Sequence, residues 1–354
     1  MSINLYTSPE HYHPALRTYL HPLLRPFIGK PANFTDADRR AMYGLGEDDF
    51  KIVTDLHKAR VAILPMAWNY YHYHDSLEAA FTFYERSRKA GLTMFSWNAG
   101  DFGVRVPDLE EGIVHRQSGY RSKLPPNHRG MPVFISDPLK HWYGQKDIFV
   151  RSRGEKPVVG FCGQVQRSLL KYTTDVLRTG WRNTRYHLRL SQNEPQWLYP
   201  STLLRNRALA SLERDLRVKT NFIKRTKYRA GVRTEEERQK TTLEFYDNMV
   251  ESDSILCVRG GGNFSVRLYE TLAMGRIPLF LNTDCLLPLP EEPKWKSVIV
   301  EAGQIDQLPN KIVSWYSNIG NEGFTESQKK ARDFWLEQLS LKSFFVSEIH
   351  NFTS

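Results

Sequence analysis

At 354 residues, with 40% hydrophobic and 25% charged side chains, the chain has the make-up of a globular protein large enough for two domains. No apolar run approaches the length of a bilayer span, and the first 28 residues hold no signal-peptide core because histidines and prolines interrupt them. The net charge of +10 predicts an anionic partner; its excess is concentrated between residues 178 and 240, as in Lys224-Arg225-Thr226-Lys227-Tyr228-Arg229, where a solvated basic face is the competing reading.

In chain order, Ile3 to Tyr6 reads as an opening strand and Ala15 to Ile28 as a short helix broken by Pro22 and Pro26. Lys51 to Lys58 looks helical, and Ala59 to Pro65 is a buried strand ending at proline. Trp68 to Asp75 reads as an aromatic, polar loop. Ser76 caps a helix running to about Arg88 and ended by Gly91. Leu92 to Phe95 is a strand leading into the loop Ser96 to Gly103. Ile113 to Arg116 and Val133 to Ser136 follow as strands.

Residues 137–156 have the prolines, glycines and scattered charge of a linker. Pro157 to Gly163 is a new strand, followed by a helix from Ser168 to Arg178 and strands at Tyr186 to Leu190 and Val218 to Ile223. Thr234 opens a helix to Val250 with a capping box, Thr234-Glu-Glu-Glu237. Ile255 to Val258 is a buried strand, Gly260 to Gly262 a glycine loop, and Asn263 and Ser265 are candidate N-caps for a helix that Gly275 ends. Ile277 to Leu281 and Val298 to Glu301 are further strands, and helices near 304–318 and 325–349 finish the chain. Strands alternating with helices predict parallel α/β architecture, with ligands bound beyond the carboxyl ends of the strands.

Three sparse cysteines, Cys162, Cys257 and Cys285, read as buried thiols in a reducing compartment. Asn263-Phe-Ser265 matches a glycosylation acceptor, but a glycan there would block the glycine loop, which favours the cytoplasm. No nucleic-acid motif is present, so nucleic acid is not the expected anion.

The glycine loop opens onto a helix N-terminus, a favourable place for an anion, and Arg259 and Arg267 flank it. Glu270, three residues after Arg267, shares its helix face. Together these residues suggest a nucleotide diphosphate site.

The stretch Phe245 to Glu301 resembles the exostosin family of glycosyltransferases. The motifs are Cys257-Val-Arg-Gly260, Ser265-Val-Arg-Leu-Tyr-Glu270, Gly275-Arg-Ile-Pro278, Leu287-Pro288 and Trp295, in the family's order and spacing. Looser matches lie at Pro157 to Gly163 and Lys58 to Pro65, so the specific part covers about a sixth of the chain. With neither a membrane anchor nor a second transferase domain, the chain is most similar to short bacterial or viral members that decorate surface polysaccharide.

The resemblance implies a GT-B fold, two Rossmann-like domains with parallel sheets facing an interdomain cleft. Residues 1–145 would form the acceptor domain and 146–354 the nucleotide-sugar donor domain, with the last helix free to cross back. It implies transfer of a sugar from a UDP-sugar to a hydroxyl of a glycan or lipid-linked glycan, with inversion. A retaining enzyme, a GDP- or ADP-sugar donor, and a non-catalytic nucleotide- or glycan-binding protein are the alternatives.

In that reading Arg259, Arg267, Gly260, Gly261, Gly262, Asn263 and Ser265 hold the donor diphosphate and Glu270 the ribose, while Gly163 and Gln164 line the nucleotide. Asp101, Asp75 and His74 are candidate bases in loops after strands, with His72 and His57 as competitors. Trp68, Tyr70, Tyr71, Tyr73 and Trp97 are candidates to stack on sugars. Glu47-Asp48-Asp49 is an acidic cluster that reads as a helix cap, so no metal or other cofactor is expected; the arginines would carry the charge. The basic surface could also place the protein peripherally on an inner membrane face.

Overall fold

The computed structural model describes residues 2–165, 169–227, 231–289 and 292–352. Ser168, Tyr228 and Arg229, which figure in the sequence reading, lie outside them.

The strands form two all-parallel sheets. The first contains β1 (Ile3–Tyr6), β2 (Phe50–Val53), β3 (Val61–Ile63), β4 (Met94–Asn98), β5 (Gly112–Arg116) and β6 (His128–Gly130), in the order β2-β1-β3-β4-β5-β6. The second contains β7 (Val158–Gln164), β8 (Lys219–Arg225), β9 (Ser254–Cys257), β10 (Ile277–Leu281) and β11 (Val300–Ala302), in the order β11-β10-β9-β7-β8. Each sheet starts in its interior, adds one strand to one side, then reverses and grows on the other. That reversal leaves a crevice beyond the carboxyl ends of β1 and β3, and another beyond β7 and β9. Two such parallel α/β units meeting across a cleft make the GT-B arrangement.

Crossover helices explain the parallel pairing. In the first unit these are α1 (Asp36–Tyr43), α2 (Trp68–Tyr73) and α3 (Leu77–Lys89); α4 (Pro138–Tyr143) lies in the connection between the units. The second unit has α5 (Leu169–His187), α6 (Ser201–Glu213), α7 (Glu235–Val250), α8 (Val266–Ala273), α9 (Glu292–Lys296), α10 (Leu308–Gln338) and α11 (Leu341–Phe352). Strands covered on both faces are buried throughout, as is every residue of β4, β9 and β10, with Ser96, Asn98 and Ser254 among them. At α7 the capping box forms, with the Glu237 N–H donating to Thr234 Oγ1 (3.2 Å) and the Thr234 N–H to Glu237 Oε2 (3.3 Å). Gly320, at φ 63°, breaks α10 between the helices expected near 304–318 and 325–349, and the second of these is itself divided, because α10 ends at Gln338 and α11 starts at Leu341.

Several local expectations are corrected. Lys51 to Lys58 is not a helix: Phe50 to Val53 pairs with β1, and one 3₁₀ turn follows at Leu56–Lys58. A four-residue edge strand, Phe-Lys-Ile-Val, is too short to show a clear period. The Glu47-Asp48-Asp49 cluster therefore precedes a strand and caps no helix; Asp48 pairs with Arg40, and Asp49 with Lys342 at 2.7 Å. Ala15 to Ile28 forms 3₁₀ turns. Trp68 to Tyr73 is helical because Trp68 and Tyr71 turn into the core together. Ser76 stands at the start of α3, but its hydroxyl makes no cap bond. Val133 to Ser136 pairs with no strand; the sixth strand is His128–Gly130, which carries no apolar run. Tyr186 to Leu190 is the end of α5 and the turn after it.

The two units share extensive contacts. α11 packs on the first sheet, with Phe344 and Phe345 against His115 at 5.9 and 5.5 Å between ring centres. Glu348 meets His115 Nε2 at 3.2 Å. The segment after α5 lies along the first unit: the Arg105 N–H donates to Gln192 O (2.9 Å), the Glu194 N–H to Gly103 O (3.2 Å), and buried Arg116 pairs with Glu194.

Candidate active site

A cavity of about 690 Å³ lies beyond the carboxyl ends of β7 and β9, where the second sheet reverses. Its floor is Cys162, Gly163 and Gln164 from the end of β7, and Val258, Gly260 and Gly261 after β9. The first turns of α8 supply Ser265, Val266, Arg267 and Glu270. Ser201, Thr202 and Arg205 come from α6, Arg225 from the end of β8, and Arg238, Thr241, Thr242 and Phe245 from α7. One residue of the first unit, Asp101, closes the opposite side.

Arg267 is fixed from three sides. Its Nη2 donates to Cys162 O (2.8 Å), and its guanidinium lies 4.3 Å from the Phe161 ring centre and 5.6 Å from that of Phe245. Its Nε is buried with no hydrogen-bond partner. A Cβ at Gly163 would stand 2.7 Å from Arg267 Nη2, so a glycine there leaves room for the guanidinium. Burial depresses the arginine's pKa. One turn on, Glu270 faces the same cavity; burial raises its carboxyl to about 7 despite the nearby Arg267 charge.

Arg259 is placed differently. It is buried, donates from Nη2 to Tyr199 O (2.6 Å) and lies 5.7 Å from the Trp197 ring centre. It is not part of the cavity wall; its carbonyl instead accepts from Arg205 Nη2 (3.1 Å), and Arg205 reaches Gln164 O at 3.2 Å. Gln164 donates from Nε2 to Thr226 O (3.2 Å).

The glycine loop faces the other unit. A Cβ on Gly262 would collide with the Asp101 carbonyl oxygen, and one on Gly261 would lie 2.6 Å from Asp101 Oδ2. Asn263 is fully buried. Its backbone N–H donates to Ser118 Oγ (2.9 Å), and its side-chain amide donates to Gly119 O (3.0 Å), Thr283 O (2.9 Å) and Asp284 O (2.9 Å). Thr283 Oγ1 donates to its Oδ1 (2.7 Å). Asn263 is thus a tie between the units and not a helix cap, and its amide nitrogen is fully engaged and closed to a glycan. Ser265 occupies the N-cap position of α8 without a side-chain cap bond.

Of the three candidate bases, the fold brings Asp101 alone to this cavity. It is solvent-accessible at the rim, and the surrounding protein raises its carboxyl. Asp75 is exposed, at φ 47°, beside a separate hollow with Glu10, His11, Glu78 and Arg86. His74 is exposed and packs on Tyr70, 4.8 Å between ring centres. His72 Nε2 is 2.6 Å from Arg105 O. Trp68, Tyr71 and Trp97 are core side chains, and Tyr73 donates to Asn193 Oδ1 (2.7 Å). Among the described residues no group of three or more His, Cys, Asp or Glu is placed to hold a metal ion.

The sequence reading missed Arg205, Arg225, Arg238, Thr241, Thr242 and Phe245. The signal was the basic excess between 178 and 240, whose members three separate elements fold onto one cavity.

No protein-family model matches the chain, and no curated protein matches it. Among solved structures, a glycosyltransferase from Rickettsia africae superimposes over 99% of this chain and 98% of its own, with a TM-score of 0.38 and 9% identity. TarM of S. aureus, in a mutant form in complex with Fondaparinux, alpha-GlcNAc-glycerol and UDP, covers 84% of this chain, at a TM-score of 0.33 and 9% identity. This chain spans 56% of that structure's length. A further TarM structure gives the same identity and TM-score.

Proposed function

We propose that this protein is a glycosyltransferase that moves a sugar from a nucleotide-sugar, a UDP-sugar in our reading, to a hydroxyl of a glycan or lipid-linked glycan. The observation that carries the reading is the cavity at the β7/β9 reversal, where Arg267 and Glu270 share one wall and Asp101 of the other unit meets them across the cleft.

In this mechanism the donor diphosphate sits among Arg267, Arg205, Arg225 and the start of α8. Glu270 accepts from ribose hydroxyls. The acceptor oxygen attacks the anomeric carbon while the bond to the nucleoside diphosphate breaks. The acceptor proton passes to the Asp101 carboxylate, and the leaving group keeps the electron pair, its charge met by the guanidinium groups. A single displacement inverts the anomeric centre, and the cations act without a divalent metal. Arg259 contributes by holding the 197–199 segment and Arg205, which line or support the same wall.

A melting-temperature screen against nucleotides tests the donor site, since a ligand that binds only the folded chain raises the melting temperature. Uridine nucleotides are expected to raise it, and Arg267→Ala to weaken their affinity roughly ten- to a hundredfold, the worth of a hydrogen bond to a charged group. With a turned-over donor, Asp101→Asn is expected to lower kcat at least ~100-fold and leave donor affinity unchanged. No shift with any nucleotide defeats the reading; binding without transfer or hydrolysis leaves only the binding protein.

A further inference from the structure

We propose that α5 is a docking element that lies in the plane of an anionic lipid bilayer. Leu170, Leu177, Trp181 and Leu188 are spaced seven, four and seven residues apart. At 100° per residue they fall within about 20° of one line along the helix and its first following turn. All four are exposed, at 81%, 72%, 65% and 62%. Single exposed leucines are ordinary; four large apolar side chains in one row are not. Exposed Leu190 and Leu198 extend the patch past the helix end.

The flank of the row is cationic. Arg178 and Arg185 are exposed and lie roughly 60–80° to one side. Asp175 is the sole acid in α5. The inner face holds the helix in place, with Arg182 over the Phe102 ring at 3.9 Å and Tyr186 under Arg105 at 4.5 Å, so the apolar row cannot turn inward. An apolar stripe with arginines beside it, on a chain of net charge +10, complements a surface that is apolar within and anionic at its face. Among the described residues no helix is long and apolar enough to cross a membrane, and α5 fits the interfacial alternative. It starts just beyond β7, whose end lines the nucleotide cavity, so docking would set that cavity beside the lipid surface.

The inference rests on the surface of α5 and not on the donor-site reading, and its test uses no nucleotide. The full chain is sedimented with vesicles of phosphatidylcholine alone and of phosphatidylcholine with phosphatidylglycerol. Binding to the anionic vesicles only, weakened by salt, is expected. The pair Leu177→Gln with Trp181→Gln should lower partitioning at least tenfold at an unchanged melting temperature. Arg178→Glu with Arg185→Glu should do the same and stands in should the first pair fold poorly. Brominated acyl chains should quench Trp181, and Trp181→Phe should lose that quenching while still binding. Absence of binding to anionic vesicles, or binding that both pairs leave unchanged, overturns the proposal. So does a dimer that ignores vesicles and that the Leu177/Trp181 pair converts to monomer, because a second copy then covers the row.

Discussion

The Glu270 carboxyl titrates in a range where it can be followed. In the folded chain it keeps its proton up to about 7, against an ordinary value of 4.5, because burial outweighs the nearby Arg267. Between those values the folded chain binds more protons than the unfolded one. Its contribution to stability is therefore fully present below 4.5 and is lost as pH rises through about 7. Thermal melts from pH 4 to 8 should show this decline in the wild type and a flatter profile in Glu270→Gln; parallel profiles would contradict it. Uridine nucleotide affinity should run the opposite way, rising through pH 7 as the carboxylate forms. Calorimetry of the same pair checks it. Arg267 and Glu270 were legible as a pair because three residues on one helix face is a local relation. Arg259 was misplaced by the same logic, since proximity to a glycine loop does not say which side of the strand a side chain leaves from. Arg205, Arg225 and Arg238 converge through three elements far apart in sequence, and no spacing rule reports that.

At the scale of elements, the βαβ unit from Ser254 to Leu281 was legible in its order, though not in its helix cap: buried strand, glycine loop, helix, Gly275 at φ 63°, buried strand. The purpose of its loop was not. Three glycines beside a helix start suggested backbone offered to a phosphate, yet Gly262 has no side chain because the Asp101 backbone occupies that space. Gly262→Ala should therefore act as a misfit between two backbones. A loss of about 1–3 kcal/mol is expected from overpacking, read from denaturant midpoints, together with lost transfer activity. Gly260→Ala, whose Cβ would meet nothing closer than 3.7 Å, is the control and should cost far less. Elements misread from sequence share a cause. β2 and β6 are short strands whose partners, not their own periods, decide their state.

For the whole molecule, the alternation of strands and helices was enough to give two parallel sheets, because parallel strands need crossovers and crossovers need helices. The bonds that Asn263 and Glu194 make between the halves were not readable. α11 comes last in the chain but completes the first unit, burying Phe344, Phe345 and Ile349. Removing residues 341–354 would uncover the face of the first sheet around His115 and Phe95. At about 1.5–3 kcal/mol for each large apolar side chain, the loss rivals the whole stability of a domain. The truncated chain should bind a hydrophobic dye and lose its cooperative melt; a retained sharp transition would show the first unit to be self-sufficient.

The bonds of Asn263 have a mechanical consequence. They pin the glycine loop to Gly119 and Ser118 on one side and to Thr283 and Asp284 on the other. A rotation of one half against the other that preserves these bonds must have its axis through Asn263. Points near an axis travel little and points far from it travel far. Asp101, packed on that loop, therefore stays in register with it, and the further ties of Arg105 to Gln192, Arg116 to Glu194 and His115 to Glu348 oppose any large swing of the halves.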